Sequence, residues 1–180
     1  MCKALNNVSG LTPAKILESY RNKFDSYTVD IKAILNYLNI SCFEYDFSSP
    51  DISALHLKNF NKIKGAIVLR RDDLSVFVSK KCSDEEQRFI MAHELGHCCL
   101  HSDSLKNNKI EYATDLISFS GDTHEDEADR FAMELLIPED NLRFVYKKLK
   151  VKYVSVLADI FSITIEVMRK RLDDLNLVYE

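Results

Sequence analysis

Apolar residues recur at helical spacing in two early stretches, with Ile16, Leu17 and Tyr20 inside 13–24 and Ile31, Ile34, Leu35 and Leu38 inside 29–38. Steps of three and four place these side chains on one face, so each stretch predicts an amphipathic helix. The pattern then changes. Residues 40–47 read as a strand, and the β-branched runs 65–70 (GAIVLR) and 74–79 (LSVFVS) read as a hairpin joined by Arg71-Asp72-Asp73. Residues 50–61 fit a short helix or a loop. At Ser83 the helical period returns: Ser83 and Glu86 form a capping box, which opens a helix reaching about Leu100. Residues 102–122 are polar and mixed, with a short strand expected at 115–119. Thr123 with Asp126 gives a second capping box, and its helix should stop near Pro138, because the residue before a proline avoids helical backbone. Three more helices are expected: from Pro138 to about Leu149, over 154–161 and over 165–175. The fold class these elements predict is α+β, with a small sheet from 40–47 and the 65–79 hairpin packed on the helix that begins at Ser83. A strand at the edge of such a sheet can receive an extended peptide as an added strand, and residues 74–79 are the candidate.

Composition narrows the classes. A chain of 180 residues with 46% hydrophobic content has the length for one domain with a real core. The formal net charge of −4 and pI near 5.8 argue against a dominant nucleic-acid surface. The polar start MCKALNNVSG is no signal peptide, and no run approaches the roughly 18 apolar residues of a membrane span. The five cysteines, Cys2, Cys42, Cys82, Cys98 and Cys99, are odd in number and form no C-x-x-C pair. They fit reduced thiols of a cytoplasmic protein.

Residues 93–97 read His-Glu-Leu-Gly-His. On a helix, positions four apart lie one above the other, so His93 and His97 can present two imidazoles to one metal ion. Glu94 lies beside them as a general base for water activated by the metal, the His-Glu-x-x-His arrangement of zinc peptidases. A third ligand is needed. Glu125 falls in the first turn of the helix capped at Thr123, and Asp129 lies one turn on along the same face. A carboxylate ligand at Glu125 leaves Asp129 to accept the free N–H of a ligand histidine and so fix its ring. One Zn²⁺ per chain is the implied cofactor. Glu127 is the second choice as ligand, and the acidic run 125–127 can also be read as complementing a helix dipole.

His101 continues the histidine stripe, but eight residues of helix rise about 12 Å. His93 and His101 therefore cannot share one ion, and His101 is read as a supporting or helix-terminal residue. Tyr112, His124, Arg143 and Tyr146 are candidate donors to a tetrahedral intermediate. His56 is read as packed or exposed, and Cys98 and Cys99 as packing on the helix.

The segment 87–97 (QRFIMAHELGH), ending in Leu100-His101, together with 125–138 (EDEADRFAMELLIP), resembles the ImmA/IrrE family of bacterial metallopeptidases. The resemblance covers roughly residues 28–178. It departs at Asp129, where the family pattern usually carries Asn, and that change keeps the N–H-accepting role. It implies a zincin-like metallopeptidase core of gluzincin type within a single domain spanning 1–180. A catalytic core at about 28–150 and a helical appendage at 151–180 are expected, with no sensory domain after it. It further implies a cytoplasmic, site-specific endopeptidase whose substrate is a helix-turn-helix repressor or antitoxin encoded nearby on a phage or mobile element, or in a stress response.

Residues 155–175 resemble a helix-turn-helix, with Leu157, Ala158 and Ile163 at its core positions. Arg169, Lys170 and Arg171 could face phosphates, but Glu166, Asp173 and Asp174 flank them. A packed appendage is favoured over direct nucleic-acid binding. The alternative to an enzyme is a catalytically inactive or non-enzymatic peptidase fold that regulates by binding a partner protein or DNA.

Overall fold

The computed structural model describes residues 3–20, 27–48, 63–108, 110–113 and 123–180. Among these the chain runs α1 (Lys3–Val8), α2 (Pro13–Tyr20), α3 (Ile31–Tyr37), β1 (Ile40–Tyr45), β2 (Gly65–Arg70) and β3 (Asp73–Ser79). There follow α4 (Asp84–Leu100), α5 (Ser102–Asn108), β4 (Ile110–Ala113), α6 (Thr123–Leu136), α7 (Glu139–Lys148), α8 (Val154–Phe161) and α9 (Ile165–Asp174). The architecture is α+β.

The strands form one four-stranded sheet in the order β1-β3-β2-β4. The expected hairpin is present: β2 and β3 are antiparallel with Arg70 opposite Asp73, and Arg71 in the turn adopts φ 59°. β1 lies parallel to β3, pairing Ile40 with Leu74, and β4 runs antiparallel to β2, pairing Gly65 with Ala113. This order corrects the expectation that residues 74–79 form a substrate-receiving edge. β3 is interior, so its backbone groups are engaged by β1 on one side and β2 on the other. The edges among the described strands are β1 and β4.

Alternation explains the two sheet faces. Leu74, Val76 and Val78 of β3 and Ile67 and Leu69 of β2 enter the main core with Phe89, Ile90, Met91 and Leu95 of α4. On the opposite face Ala66 joins Phe47 and Ile63, packed by Tyr45 and Phe77. α4 starts where the sequence places it. Ser83 Oγ accepts the Glu86 N–H at 3.2 Å, and Glu86 Oε2 accepts the Ser83 N–H at 2.8 Å. The Gln87 side-chain amide donates to the Ser79 carbonyl at 3.2 Å, which ties the helix start to the end of β3. From Phe89 to Cys99 every residue of α4 is buried, so this part of the helix has no wet face.

α6 ends at Leu136, and Pro138 stands at the start of α7, as the proline predicts. The C-terminal pair α8–α9 docks on the core: Leu157, Ala158 and Ile163 are buried, and Arg88 of α4 donates to Ser162 O at 2.9 Å and Val29 O at 2.8 Å. Arg171 is also buried and donates to Ile137 O at 3.2 Å, so one of the three basic residues of α9 faces inward.

Three short elements escaped sequence reading: α1, and α5 and β4 inside the polar stretch 102–122. The strand of that stretch is β4 at Ile110–Ala113, while the expected strand at 115–119 lies outside the described residues, as do the segment 50–61 and His56. Among the described residues no helix is long and apolar enough to cross a membrane. Cys42, Cys82, Cys98 and Cys99 are free, and burial raises the Cys98 thiol and pushes Cys99 up to about 12. Cys98 and Cys99 are core packing residues.

Candidate metal centre

α4 and α6 lie against each other because small residues meet at their contact. A Cβ at Gly96 would stand 3.2 Å from Ala128 Cα and 3.3 Å from Phe131 Cβ, so a side chain there would force the helices apart. This approach brings the first turn of α6 over the histidines of α4. His93 Nε2 lies 3.2 Å from Glu125 Oε2, His97 Nε2 lies 3.3 Å from Glu125 Oε1, and the two Nε2 atoms are 3.0 Å apart. One atom from each of His93, His97 and Glu125 falls within 4.8 Å of the others, a group able to hold a metal ion. Both histidines are buried, whereas the Glu125 side chain is 28% exposed. The cluster therefore opens toward solvent on the α6 side.

Asp129 stands one helical turn beyond Glu125. Its Oδ1 accepts the His93 Nδ1–H at 2.7 Å, with Asp129 itself 1% exposed. That bond fixes the tautomer: Nδ1 carries the proton, and Nε2 faces His97 and Glu125. Burial alone would push the His93 pKa down, but hydrogen bonds to Asp129 and Glu125 outweigh it and raise the group to about 10. Burial would raise the Glu125 carboxyl, but its hydrogen bonds to His93 and His97 hold it well below the usual range. Two carboxylates thus meet the His93 ring, Asp129 at Nδ1 and Glu125 at Nε2. Two imidazole nitrogens and a carboxylate oxygen, one imidazole backed by a buried carboxylate, are the donor chemistry of a zinc site. The residues present fit the metal.

Glu94 follows His93 on α4 and is fully buried. β2 passes beside it at Gly65, where a Cβ would overlap the Ile90 side chain and stand 2.9 Å from Glu94 Oε1. Only a glycine lets the strand run this close. Sequence reading missed Gly65, and likewise Gly96 as a packing residue. The signal available was their rarity: the chain has four glycines in all.

The remaining candidates separate. Glu127, the second choice as third ligand, is 58% exposed and lies 3.6 Å from His101 Nε2 rather than with His93 and His97. His101 caps the C-terminus of α4, and its ring stacks on His124 with centroids 4.2 Å apart. Arg143 donates to Glu139 within α7 at 2.6 Å, and the Tyr146 hydroxyl donates to Val178 O in the C-terminal segment at 2.6 Å. The Tyr112 side chain lies outside the described residues.

The sequence model of the IrrE N-terminal-like domain, a peptidase family designated M78, matches residues 36–173, which include both helices of the site. The chain is also similar to an uncharacterized immunity region protein 2 of Bacillus phage phi105, with 26% identity over 106 residues. That match covers 59% of this chain and 57% of the phage protein, so the chain spans little more than half the length of this relative.

Proposed function

The chain belongs to the IrrE N-terminal-like domain family, and from that premise we propose that it is a zinc-dependent, site-specific endopeptidase with a zincin-like core of gluzincin type. The observation that carries the reading is the convergence of His93, His97 and Glu125 within 4.8 Å, beside the buried Glu94. His93 Nε2, His97 Nε2 and a Glu125 oxygen would hold the ion. When bound, it supplies Lewis acidity that polarises a scissile carbonyl and activates water near neutral pH.

The protein's own groups do the rest. Asp129 holds the His93 ring through Nδ1, which keeps the Nε2 lone pair directed into the cluster. The Glu94 carboxylate takes the proton of the attacking water and delivers it to the nitrogen of the leaving amine. β4 is the better edge for an extended substrate segment, because it pairs through Ala113 with Gly65, the residue that touches Glu94.

The substrate is a helix-turn-helix repressor or antitoxin in the cytoplasm, cleaved to relieve control of a phage, a mobile element or a stress response. Family resemblance supports this, and so does the phage relative, whose name refers to an immunity region. The docked C-terminal helices act as part of the peptidase body rather than as a DNA reader. Co-expression with the repressor encoded beside the gene tests the reading. The wild type should cut it, and Glu94→Gln should lower cleavage about 10²- to 10⁴-fold with the metal retained. Equal cleavage by both proteins would sink the mechanism. Zinc should be lost on Glu125→Ala and kept on Glu127→Ala.

A further inference from the structure

His101 stands too far along α4 to join His93 on one ion, yet it is 8% exposed and lies against the metal helix's neighbour. Its backbone N–H closes α4 on the His97 carbonyl at 2.9 Å. Its ring Nε2 lies 3.1 Å from the backbone oxygen of His124. A carbonyl only accepts, so Nε2 carries the proton and donates. The same ring stacks on the His124 ring at 4.2 Å and 23°, and tilts against His97 at 5.4 Å.

We propose that His101 is a positioning residue for Glu125, pinning the first turn of α6 to the C-terminal end of α4. The peptide plane explains how. The His124 carbonyl and the Glu125 nitrogen belong to one rigid unit, so a donor fixed on that oxygen sets the direction in which the chain enters Glu125. Apart from the histidine contacts with Glu125 itself, other ties between the two helices lie downstream, among them the Gly96–Ala128 contact, the His93–Asp129 bond and the approach of Glu127 to His101 Nε2 at 3.6 Å. Helix ends open more readily than helix interiors, and Glu125 sits in the first turn with a part-exposed side chain. The His101 bond is a hold immediately upstream of Glu125. Because Nε2 is directed at a carbonyl, that nitrogen acts as a donor and not as a metal ligand.

The inference rests on Glu125 being a metal ligand, and the test separates the two ideas. Zn²⁺ affinity is measured by competition with a chromophoric chelator, alongside thermal unfolding of the metal-free proteins. His101→Gln places an amide N–H near the position of Nε2, whereas His101→Asn is too short to reach the His124 carbonyl. The Gln variant should bind zinc within a few-fold of wild type, and the Asn variant about 10- to 100-fold more weakly. In a Glu125→Gln background, His101→Asn should cause no further loss of affinity, because its effect passes through Glu125. An Asn variant as tight as wild type, a Gln variant as weak as Asn, or a full additive loss in the Glu125→Gln background overturns the proposal. Glu125→Gln binding as tightly as wild type overturns the ligand assignment itself and the pin with it. Should the Asn variant lose cooperative unfolding, His101→Gln still decides: it must match wild type in affinity.

Discussion

Gly96 on α4 faces Ala128 on α6 so closely that a Cβ on the glycine would meet Ala128 Cα at 3.2 Å. The span between the histidines and Glu125 is therefore set by the absence of a side chain. Gly96→Val should push the helices apart, destabilising the fold by about 1–3 kcal/mol through overpacking and weakening zinc binding. Thermal unfolding with and without zinc measures both. Unchanged zinc affinity in a destabilised protein would show that the helix spacing does not control the site.

Gly65→Ala should act on chemistry rather than on metal content. The added methyl overlaps Ile90 and crowds Glu94 Oε1, and a misplacement on the order of 1 Å can cost about 100-fold in rate. Turnover should fall by tens of fold while bound zinc stays at one per chain. Metal analysis beside a cleavage assay separates the two, and a loss of zinc equal to the loss of rate would contradict it.

Asp129 invites a graded pair of substitutions. Asp129→Asn keeps an oxygen that can accept the His93 Nδ1–H, whereas Asp129→Ala leaves that buried N–H with no acceptor. Zinc affinity should drop about 10- to 100-fold for Ala and less than about tenfold for Asn. Equal losses would mean that the negative charge, not the ring orientation, is what the ion requires.

Proton linkage gives a fourth expectation. The His93 pKa is raised from 6.5 to about 10 in the metal-free protein. Its stabilising contribution is present in full below 6.5 and is lost as pH rises toward 10. Glu125 has the opposite sign: its pKa is lowered, so its contribution is present above 4.5 and is lost as pH falls. The Tm of the metal-free protein should therefore decline between pH 7 and about pH 10. Zinc must displace the His93 proton, so its affinity should rise over the same interval and its binding should release protons at pH 7. Calorimetry in buffers of different ionisation enthalpy reads the release directly, and zero net release would contradict the His93 assignment.

How much of this was legible in the sequence depended on distance along the chain. Ser83 with Glu86 announces the start of α4 because a capping box is a local bond pattern, and Pro138 announces the end of α6 for a local steric reason. His93 with His97, and Glu125 with Asp129, fall on shared faces by helical spacing alone. Strand order obeys no such rule. β1 inserts parallel beside β3 rather than beside β2, the next strand in the chain, and this converts residues 74–79 from an expected edge into an interior strand. β4 was missed because four residues carry little periodicity and its pairing with β2 joins segments far apart in the chain. The glycines were silent because a glycine's role lies in what approaches it.

The division of the cluster between α4 and α6 also has a temporal side. A chain growing from its N-terminus completes both histidines by residue 97, but Glu125 and the Asp129 that orients His93 belong to a helix ending at Leu136. During synthesis the protein thus carries an incomplete ion-binding set until α6 has emerged and closed onto α4. Hydrolytic capacity on the proposed reading arrives only with that closure, so a nascent chain on the ribosome is harmless to its own target until α6 has been made.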